Sequence, residues 1–270
     1  MLTLIPALAE FFVVVAVALA AVLLKTIDAR GFLASAAVGF AAIYGGGVSW
    51  FITVAVFFIL GVAFTLYKYG YKRKLGGAQG KGGARNWPHI LANGGVASLV
   101  AAWNFFHPSP WNAVLFLGAV SAAAADTGAT ELGLLSREEP RLITAPSRKV
   151  PPGTSGGVTR LGSLGALLAS LIIGVTALPL GVLGYPFAVI PACVLGGVAG
   201  AVADSLLGAA VQRRGYCVAC LKPTEALSHC GEKTRPTSGT PYIENNVVNV
   251  AATVVGALVA AAILLVQLSI

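Results

Sequence analysis

The sequence predicts an all-α integral membrane protein, a polytopic bundle of about eight transmembrane helices with both termini outside and active-site loops in the cytoplasm. Hydrophobic residues make up 57% of the chain and charged residues only 10%, whereas soluble proteins are nearer one quarter charged. Several apolar stretches also approach or reach the roughly 20 residues that cross a bilayer as a helix. We place the eight spans at residues 2–24, 31–48, 50–67, 88–105, 111–131, 158–179, 186–211 and 245–268.

The basic residues orient these spans. All 18 Lys and Arg lie in, or at the edges of, four alternate connections, and the other connections and both termini carry none. Because basic loops stay cytoplasmic, the four connections are predicted to face the cytoplasm. The net charge of +8 then reflects topology and anionic partners rather than nucleic acid, for which no binding pattern is present.

We expect one integral-membrane domain over residues 1–270. It comprises N-terminal helices at 1–67, a basic cytoplasmic loop at 68–87 and a catalytic half at 88–270.

Two aspartates, Asp126 and Asp204, lie within apolar segments near their predicted cytoplasmic ends. An Asp at mid-membrane costs about 2.5–3.5 kcal/mol, so such residues usually mark a functional path. Mg²⁺ often binds between one or two carboxylates and substrate phosphates, and a shared Mg²⁺ is the predicted partner. The alternative is a pair of packing stripes whose aspartates bond to neighbouring helices. Those stripes are Gly118, Ala122, Asp126 and Thr130, and Gly196, Gly200, Asp204 and Gly208.

The stretch "SRKVPPGTSGG" (147–157) has the features of a phosphate-binding segment. Two adjacent cations precede a Pro-Pro turn and a Gly/Ser/Thr run, after which a helix is predicted to open at Val158. Glycine-rich backbone and a helix N-terminus both favour anions. The order of a Walker loop is absent, and a purely structural turn is the alternative.

Three amides in "ENNVVN" (244–249), those of Asn245, Asn246 and Asn249, share a helix face where the last span begins. They exceed what an N-cap needs, which favours the lining of a polar site.

A short loop holds Cys217, Cys220, His229 and Cys230. A Cys₃His set suits a structural Zn²⁺, and the reducing cytosol disfavours disulfides. A zinc site, a disulfide and free thiols all remain open.

Taken together, these motifs resemble the integral-membrane family typified by transmembrane protein 19 and the phytyl-phosphate kinase of plants and cyanobacteria. The order of the motifs through the C-terminal half carries the resemblance. A more distant similarity links "DTGATELG" and the Gly-Thr pair at 153–154 to dolichol kinases and CDP-diacylglycerol synthases, although no Lys-Asp pair follows "RRGYC". The matching stretches are "ADTGATELG" (125–133), "PPGTSGGVT" (151–159), "ADSLLGAAVQ" (203–212), the "C-x-x-C…HCG" loop (217–231) and "NNVVN" (245–249).

The resemblance implies a kinase that transfers the γ-phosphoryl group of a nucleoside triphosphate, CTP or ATP with CTP preferred, to a prenyl monophosphate such as phytyl or geranylgeranyl phosphate. Asp126 and Asp204 would hold Mg²⁺, with Glu131 as a further ligand or support. The prenyl phosphate would bind Asn245, Asn246 and Asn249, with its tail between the glycine-faced helices. The nucleotide phosphates would bind a cradle in which Lys149 is also catalytic: Arg148, Lys149, Gly153, Thr154, Ser155 and Gly156.

Two other classes remain as alternatives. One is a CTP-dependent lipid cytidylyltransferase, which would attack the α-phosphorus. The other is an ion-coupled transporter that uses the intramembrane aspartates.

Overall fold

The structure is a computed structural model that describes residues 4–75, 83–225 and 227–269. Within these ranges the chain forms eight helices, so the prediction of an all-α bundle is confirmed. Part of the predicted basic loop, residues 76–82, lies outside the described residues. The helices are α1 (Leu4–Leu23), α2 (Ala29–Leu66), α3 (Tyr69–Lys74), α4 (Trp87–Phe106), α5 (Pro110–Gly133), α6 (Arg160–Ala177), α7 (Pro186–Ala210) and α8 (Asn245–Leu268).

Helix α2 contains the second and third predicted spans as two arms that fold back on each other. The arms meet at Gly47, whose φ of 74° and ψ of −170° break the helix. A Cβ on Gly39 would lie 3.3 Å from the ring of Phe51, although a straight helix would hold residues 12 apart roughly 18 Å from each other. Asn104 of α4 donates to the carbonyl of Gly45 at 2.7 Å and fixes the turn. Because the two arms of α2 account for the second and third predicted spans, the six-residue α3 does not correspond to any of the eight predicted spans.

Helix α5 is the centre of the bundle, and its small residues allow α7 and α8 to approach closely. A Cβ on Gly256 of α8 would lie 2.5 Å from the Cβ of Ala122, and one on Gly200 of α7 would lie 2.4 Å from the same atom. Such contact between small residues is how membrane helices pack. The two predicted stripes are therefore packing faces over most of their length.

The four basic connections meet at one end of the bundle, which we call the basic end. The backbone N–H of Arg85 donates to the carbonyl of Thr26 at 2.9 Å, and this contact joins the first and second of the four basic connections. Lys72 reaches Glu131 at the end of α5 at 2.5 Å. Arg214 donates to the carbonyl of Ser155 at 3.1 Å, and this contact joins the third and fourth basic connections.

Two small antiparallel sheets and a hairpin cover the basic end, where the sequence predicted only loops. Residues 141–158 form a three-stranded sheet of order β2-β1-β3, and residues 214–238 form one of order β5-β4-β8 with the hairpin β6-β7. The strands are β1 (Arg141–Leu142), β2 (Ala145–Lys149), β3 (Gly157–Val158), β4 (Arg214–Cys217), β5 (Lys222–Thr224), β6 (Ser228–His229), β7 (Glu232–Lys233) and β8 (Arg235–Ser238).

Five of the described helices, α2, α5, α6, α7 and α8, are long and apolar enough to cross a membrane. Large apolar side chains such as Leu99, Phe106 and Phe187 are exposed on the outside of the bundle. An apolar exterior around a close-packed interior is what a lipid environment requires.

The contact of Gly256 with α5 can be tested by adding one methyl group. Gly256→Ala is expected to lower the free energy of unfolding by roughly 1–3 kcal/mol, because the new Cβ overlaps Ala122. Gly95→Ala in α4 is the matched control, since a Cβ there meets nothing within 4 Å. Its helix propensity predicts a gain of up to about 1 kcal/mol. Thermal unfolding in detergent measures both, and equal shifts would contradict the packing described.

Candidate functional site

A polar cavity of about 330 Å³ opens at the basic end, between the ends of α5 and α7 and the starts of α6 and α8. Three carboxylates line it, and they face a turn rich in Gly, Ser and Thr. None of the described residues lining it is a lysine or an arginine. The residues that matter for its chemistry are Asp126, Asp204, Glu225, Asn245, Ser205 and residues 153–159.

The structure brings Asp126 and Asp204 to this one cavity, although 78 positions separate them in the chain (204 minus 126). Each lies near the end of its helix, in the last two turns of α5 and α7. The tight contact of these helices through Ala122 and Gly200 sets the two aspartates side by side. The arrangement suits a hard cation, because both groups offer only oxygen ligands.

The amide of Asn249 holds Asp204 in place. With the amide orientation assigned from its hydrogen-bond partners, Asn249 donates to Asp204 Oδ2 at 3.1 Å and accepts from Asn93 Nδ2 at 3.0 Å. Asn249 is therefore a buried link between α4, α7 and α8. Of the other two predicted amides, Asn245 lines the cavity, and Asn246 is not among the described lining residues.

Residues 151–157 form a tight turn that presents backbone to the cavity. The N–H of Thr154 donates to Pro151 at 3.2 Å, and that of Gly157 donates to Thr154 at 2.9 Å. Gly156 has a φ of 78°, and a Cβ there would lie 2.5 Å from the Cβ of Ala209 in α7. Only glycine fits this position, because both its backbone conformation and its contact exclude a side chain.

Helix α6 follows this turn and begins at Arg160, two residues after the predicted start at Val158. Thr159 caps it by accepting from the N–H of Gly162 at 3.0 Å. Thr159, Gly162 and Ser163 also line the cavity, so the N-terminus of the helix faces the same space as the turn. Together they form a site suited to phosphate oxygens.

Glu225 is a cavity carboxylate that the sequence did not reveal. Its Oε1 accepts from the hydroxyl of Ser155, and its Oε2 accepts from Gln212 Nε2 at 2.7 Å. These bonds fasten the loop between α7 and α8 to the turn before α6. A lone glutamate in a polar loop carries no periodic or spacing signal, so only the fold could identify it.

Glu131 does not line the cavity, so its predicted role as a metal ligand is not supported by the geometry. Its Oε1 accepts from Thr65 at 2.8 Å, and its Oε2 bonds to Lys72 at 2.5 Å. Lys72 is fully buried and also donates to the carbonyl of Phe64 at 2.6 Å. No sequence pattern links Glu131 to Lys72, because Lys72 lies 59 residues away in the basic loop.

Arg148 and Lys149 also lie outside the cavity lining, contrary to the predicted cradle. Both belong to β2, whose pairing with β1 turns them outward, and the Lys149 side chain is 61% exposed. Lys149 bonds to Glu139 at 2.8 Å, and this hydrogen bond holds the pKa of Glu139 below its usual range. Arg214 instead contacts the turn, since it donates to the carbonyls of Ser155 and Gly208.

The four predicted zinc ligands converge beside this site. The ligand atoms of Cys217, Cys220, His229 and Cys230 all lie within 4.8 Å of one another. His229 Nδ1 is 3.4 Å from Cys220 Sγ and 3.2 Å from Cys230 Sγ. The backbone N–H of Cys220 donates to the sulfur of Cys217 and lowers the pKa of that thiol to about 6, which favours the thiolate.

The buried pair Lys72–Glu131 predicts an asymmetric response to mutation. Lys72→Met leaves the carboxylate buried without its cation and is expected to lower the free energy of unfolding by roughly 3–5 kcal/mol. The double variant Lys72→Met/Glu131→Leu should recover most of that loss, because the buried carboxylate is removed together with its cation. Lys149→Met, which breaks an exposed pair, should cost no more than about 1 kcal/mol. Denaturant unfolding in detergent distinguishes these cases, and equal losses in the single and double variants would contradict the pairing.

Comparison with known proteins agrees with this architecture. The chain is 34% identical over 192 residues to an uncharacterized membrane protein of Methanocaldococcus jannaschii, which covers 71% of this chain and 77% of that one. It is 32% identical over 217 residues to Protein PGR of Arabidopsis thaliana, covering 72% and 74%. It is 27% identical over 195 residues to Protein VTE6, chloroplastic, of the same plant, covering 70% of this chain and 58% of the relative.

No solved structure matches the chain. Residues 12–257 match the family described as Integral membrane protein DUF92, and this match spans most of the sequence. The chain therefore belongs to the DUF92 family of integral membrane proteins.

Proposed function

We propose that the protein is a membrane kinase that transfers the γ-phosphoryl group of a nucleoside triphosphate, preferably CTP, to a prenyl monophosphate such as phytyl or geranylgeranyl phosphate. One observation carries the proposal: a single cavity at the basic end joins three carboxylates to a glycine-rich turn and a helix N-terminus. The motif resemblance to phytyl-phosphate kinases and the match to Protein VTE6 support it. The basic end faces the cytoplasm in this proposal, as its excess of Lys and Arg indicates.

Mg²⁺ is the proposed cofactor, and the donor set fits it because the lining carboxylates are hard oxygen ligands. Asp126 and Asp204 would hold it, and Glu225 would take the supporting place that the resemblance implied for Glu131. When bound, Mg²⁺ supplies positive charge against the nucleotide phosphates.

The protein's own groups do the work of positioning. The nucleotide phosphates would bind the N-terminus of α6 and the backbone N–H groups of the 153–157 turn other than those of Thr154 and Gly157, which already donate within the turn. Asn249 keeps Asp204 in a fixed orientation, and Glu225 keeps the turn in place through Ser155. This division of roles needs no cation from Arg148 or Lys149.

The transfer needs no general base of special pKa. An oxygen of the prenyl phosphate, already an anion, forms the new bond to the γ-phosphorus as the bond to the leaving nucleoside diphosphate breaks. Phosphoryl transfer depends mainly on alignment and charge neutralisation; the fixed groups of the cavity would supply the alignment, and bound Mg²⁺ would supply the neutralising charge. A convincing catalytic histidine is therefore not required.

Two carboxylate variants test the proposal. With geranylgeranyl phosphate, Mg²⁺ and CTP or ATP, the purified protein is expected to form geranylgeranyl diphosphate and a nucleoside diphosphate. Asp126→Asn and Asp204→Asn should abolish this turnover while the protein stays folded, because each removes a metal-binding charge. Glu139→Gln, an exposed carboxylate at the same end, is the matched control and should retain activity. Product chromatography with detergent unfolding curves measures both.

The reaction products also distinguish the proposed kinase from the two alternative functions, a lipid cytidylyltransferase and an ion-coupled transporter. A CDP-lipid and pyrophosphate would establish a cytidylyltransferase that uses the same cavity. Wild-type-like turnover in either Asp variant would remove the metal site, and ion transport without any phosphorylated product would favour a transporter.

A further inference from the structure

A second cavity, of about 190 Å³, lies between α1, both arms of α2 and α4. Its walls are apolar and include Val17, Val54, Phe58 and Ile90. Its polar groups cluster toward the basic end, in the segment before α4 and its first two turns, with Ser35 facing them from α2. These polar residues are Ser35, Arg85, His89 and Asn93.

Arg85 is the unusual member of this lining. Its side chain is buried, with the residue 4% exposed, and its Nη2 has no hydrogen-bond partner among the described residues. The guanidinium lies 5.9 Å from the ring centre of Phe57 and 6.0 Å from that of Phe58. A Cβ on Gly61 would lie 2.1 Å from Nη2, so a glycine leaves the room that this group occupies.

The charge of Arg85 is not balanced locally. Burial lowers its pKa to about 10, and the nearby Glu131 opposes that shift, so the group stays cationic at neutral pH. Glu131 is already bonded to Lys72 and Thr65, which leaves two buried cations for one buried carboxylate. A buried charge without a partner is costly, and an anionic ligand would relieve that cost.

The two cavities share a polar wall. Asn93 lines the second cavity and donates to Asn249 at 3.0 Å, and Asn249 donates at 3.1 Å to Asp204, which lines the first. An anion beside Arg85, His89 and Asn93 would therefore lie next to the carboxylate site, separated from it by one amide.

We propose that the second cavity is the acceptor site, in which a single-chain prenyl tail fills the apolar space and its monophosphate binds Arg85. This inference rests on the proposed kinase function and gives its lipid substrate a place. A cavity of about 190 Å³ with one cation among its lining residues suits one chain and one phosphate rather than a two-chain lipid. This site differs from the expected one, in which the prenyl tail lies between the glycine-faced helices. The contacts of Ala122 with Gly200 and Gly256 leave no space for a tail there.

Kinetics of an arginine variant test the headgroup contact. Arg85→Ala is expected to raise the KM for geranylgeranyl phosphate roughly 10- to 100-fold, as loss of a charge-assisted bond predicts, and to leave the KM for the nucleotide unchanged. Arg73→Ala, an exposed cation of the same basic loop, should change neither constant. An unchanged prenyl KM in Arg85→Ala, or an equal rise in both constants, would overturn the assignment.

A second variant covers the case in which Arg85→Ala does not fold. Ala55→Phe narrows the apolar part of the cavity and should shift the preference from geranylgeranyl toward geranyl phosphate, whereas an unaltered chain-length preference would overturn the assignment.

Binding is measured separately from turnover with a geranylgeranyl phosphate that carries a terminal diazirine. Adducts are expected on α1, α2 and α4, competed by geranylgeranyl phosphate and reduced in Arg85→Ala. Adducts spread over other helices would contradict the site even if the kinase is active. Labelling as expected without any turnover would instead overturn only the kinase function.

The Cys/His cluster carries a second, independent inference. We propose that Cys217, Cys220, His229 and Cys230 bind a structural Zn²⁺ that positions Glu225. The four ligand atoms already lie within 4.8 Å of one another, and a disulfide would use only two of them and leave His229 without a role. The strands around them are two to four residues long, which is little to hold a loop in place.

Glu225 lies between the two halves of the cluster, five residues after Cys220 and four before His229. Its bonds to Ser155 and Gln212 connect that loop to the first cavity. A metal that closes the loop therefore also fixes the position of a cavity carboxylate.

Metal content tests the zinc site directly. The purified protein is expected to carry one Zn²⁺ per chain by elemental analysis, and Cys220→Ala should lose it. Cys193→Ala, a buried thiol in α7 outside the cluster, should keep it. Limited proteolysis should cut the 217–238 region of Cys220→Ala faster than that of the control. A zinc-free wild type, or equal zinc in Cys220→Ala, would overturn the proposal.

Discussion

The buried amide of Asn249 is the interaction on which the basic end depends. It donates to Asp204 on α7 and accepts from Asn93 on α4, while its own helix packs on α5 through Gly256. Water is scarce inside such a bundle, so each buried polar group needs a protein partner. An amide offers both a donor and an acceptor, and one side chain can therefore satisfy groups on two other helices. An apolar residue at this position would remove a hydrogen-bond partner from both Asp204 and Asn93.

Buried charge is distributed unevenly around this link. On one side, Asp126, Asp204 and Glu225 line a cavity that has no cation among its described lining residues. On the other, Arg85 remains cationic and forms no ion pair with any residue that the structure describes, because Lys72 is the cation bonded to Glu131. The first cavity is lined by carboxylates and the second by a cation, and the amide of Asn249 lies between them. The first is suited to a cation and the second to an anion, as expected where a metal–nucleotide complex meets a lipid phosphate.

The sequence predicted the features that depend on local pattern. Hydropathy gave the spans, including both arms of α2, and the position of "YGGG" matches the break at Gly47. The small-residue spacing around Asp126 and Asp204 indicated that these residues share a face with close helix contacts, and the structure places them on one cavity. These predictions succeeded because helical periodicity and apolar length are properties of neighbouring residues.

The contacts that the sequence did not indicate depend on partners far away in the chain. The resemblance implied that Glu131 is a further metal ligand or a support, yet Lys72 binds it from 59 residues away. Lys149 was expected to bind phosphate, but β2 pairs with β1 and the Lys149 side chain bonds to Glu139. Glu225 has no pattern at all, and its role follows only from the contact of its loop with Ser155. Long-range pairing of polar loops, unlike hydropathy, cannot be derived from spacing.

The arrangement of the two cavities also bears on how a lipid and a nucleotide can react at a membrane surface. A prenyl tail gains free energy in apolar surroundings, whereas nucleotide phosphates need polar groups and counter-charge, so no single environment suits both. Helix α4 separates the environments of the two cavities, while Asn93 and Asn249 keep the polar ends of the cavities adjacent. The phosphate of the lipid is then drawn out of the apolar space only as far as Arg85. At that point the amide of Asn249 separates it from the carboxylate cavity, and the aspartates there repel it less once a metal–nucleotide complex has neutralised them. Transfer is favoured when both ligands are present, because each one supplies the charge that the other cavity lacks.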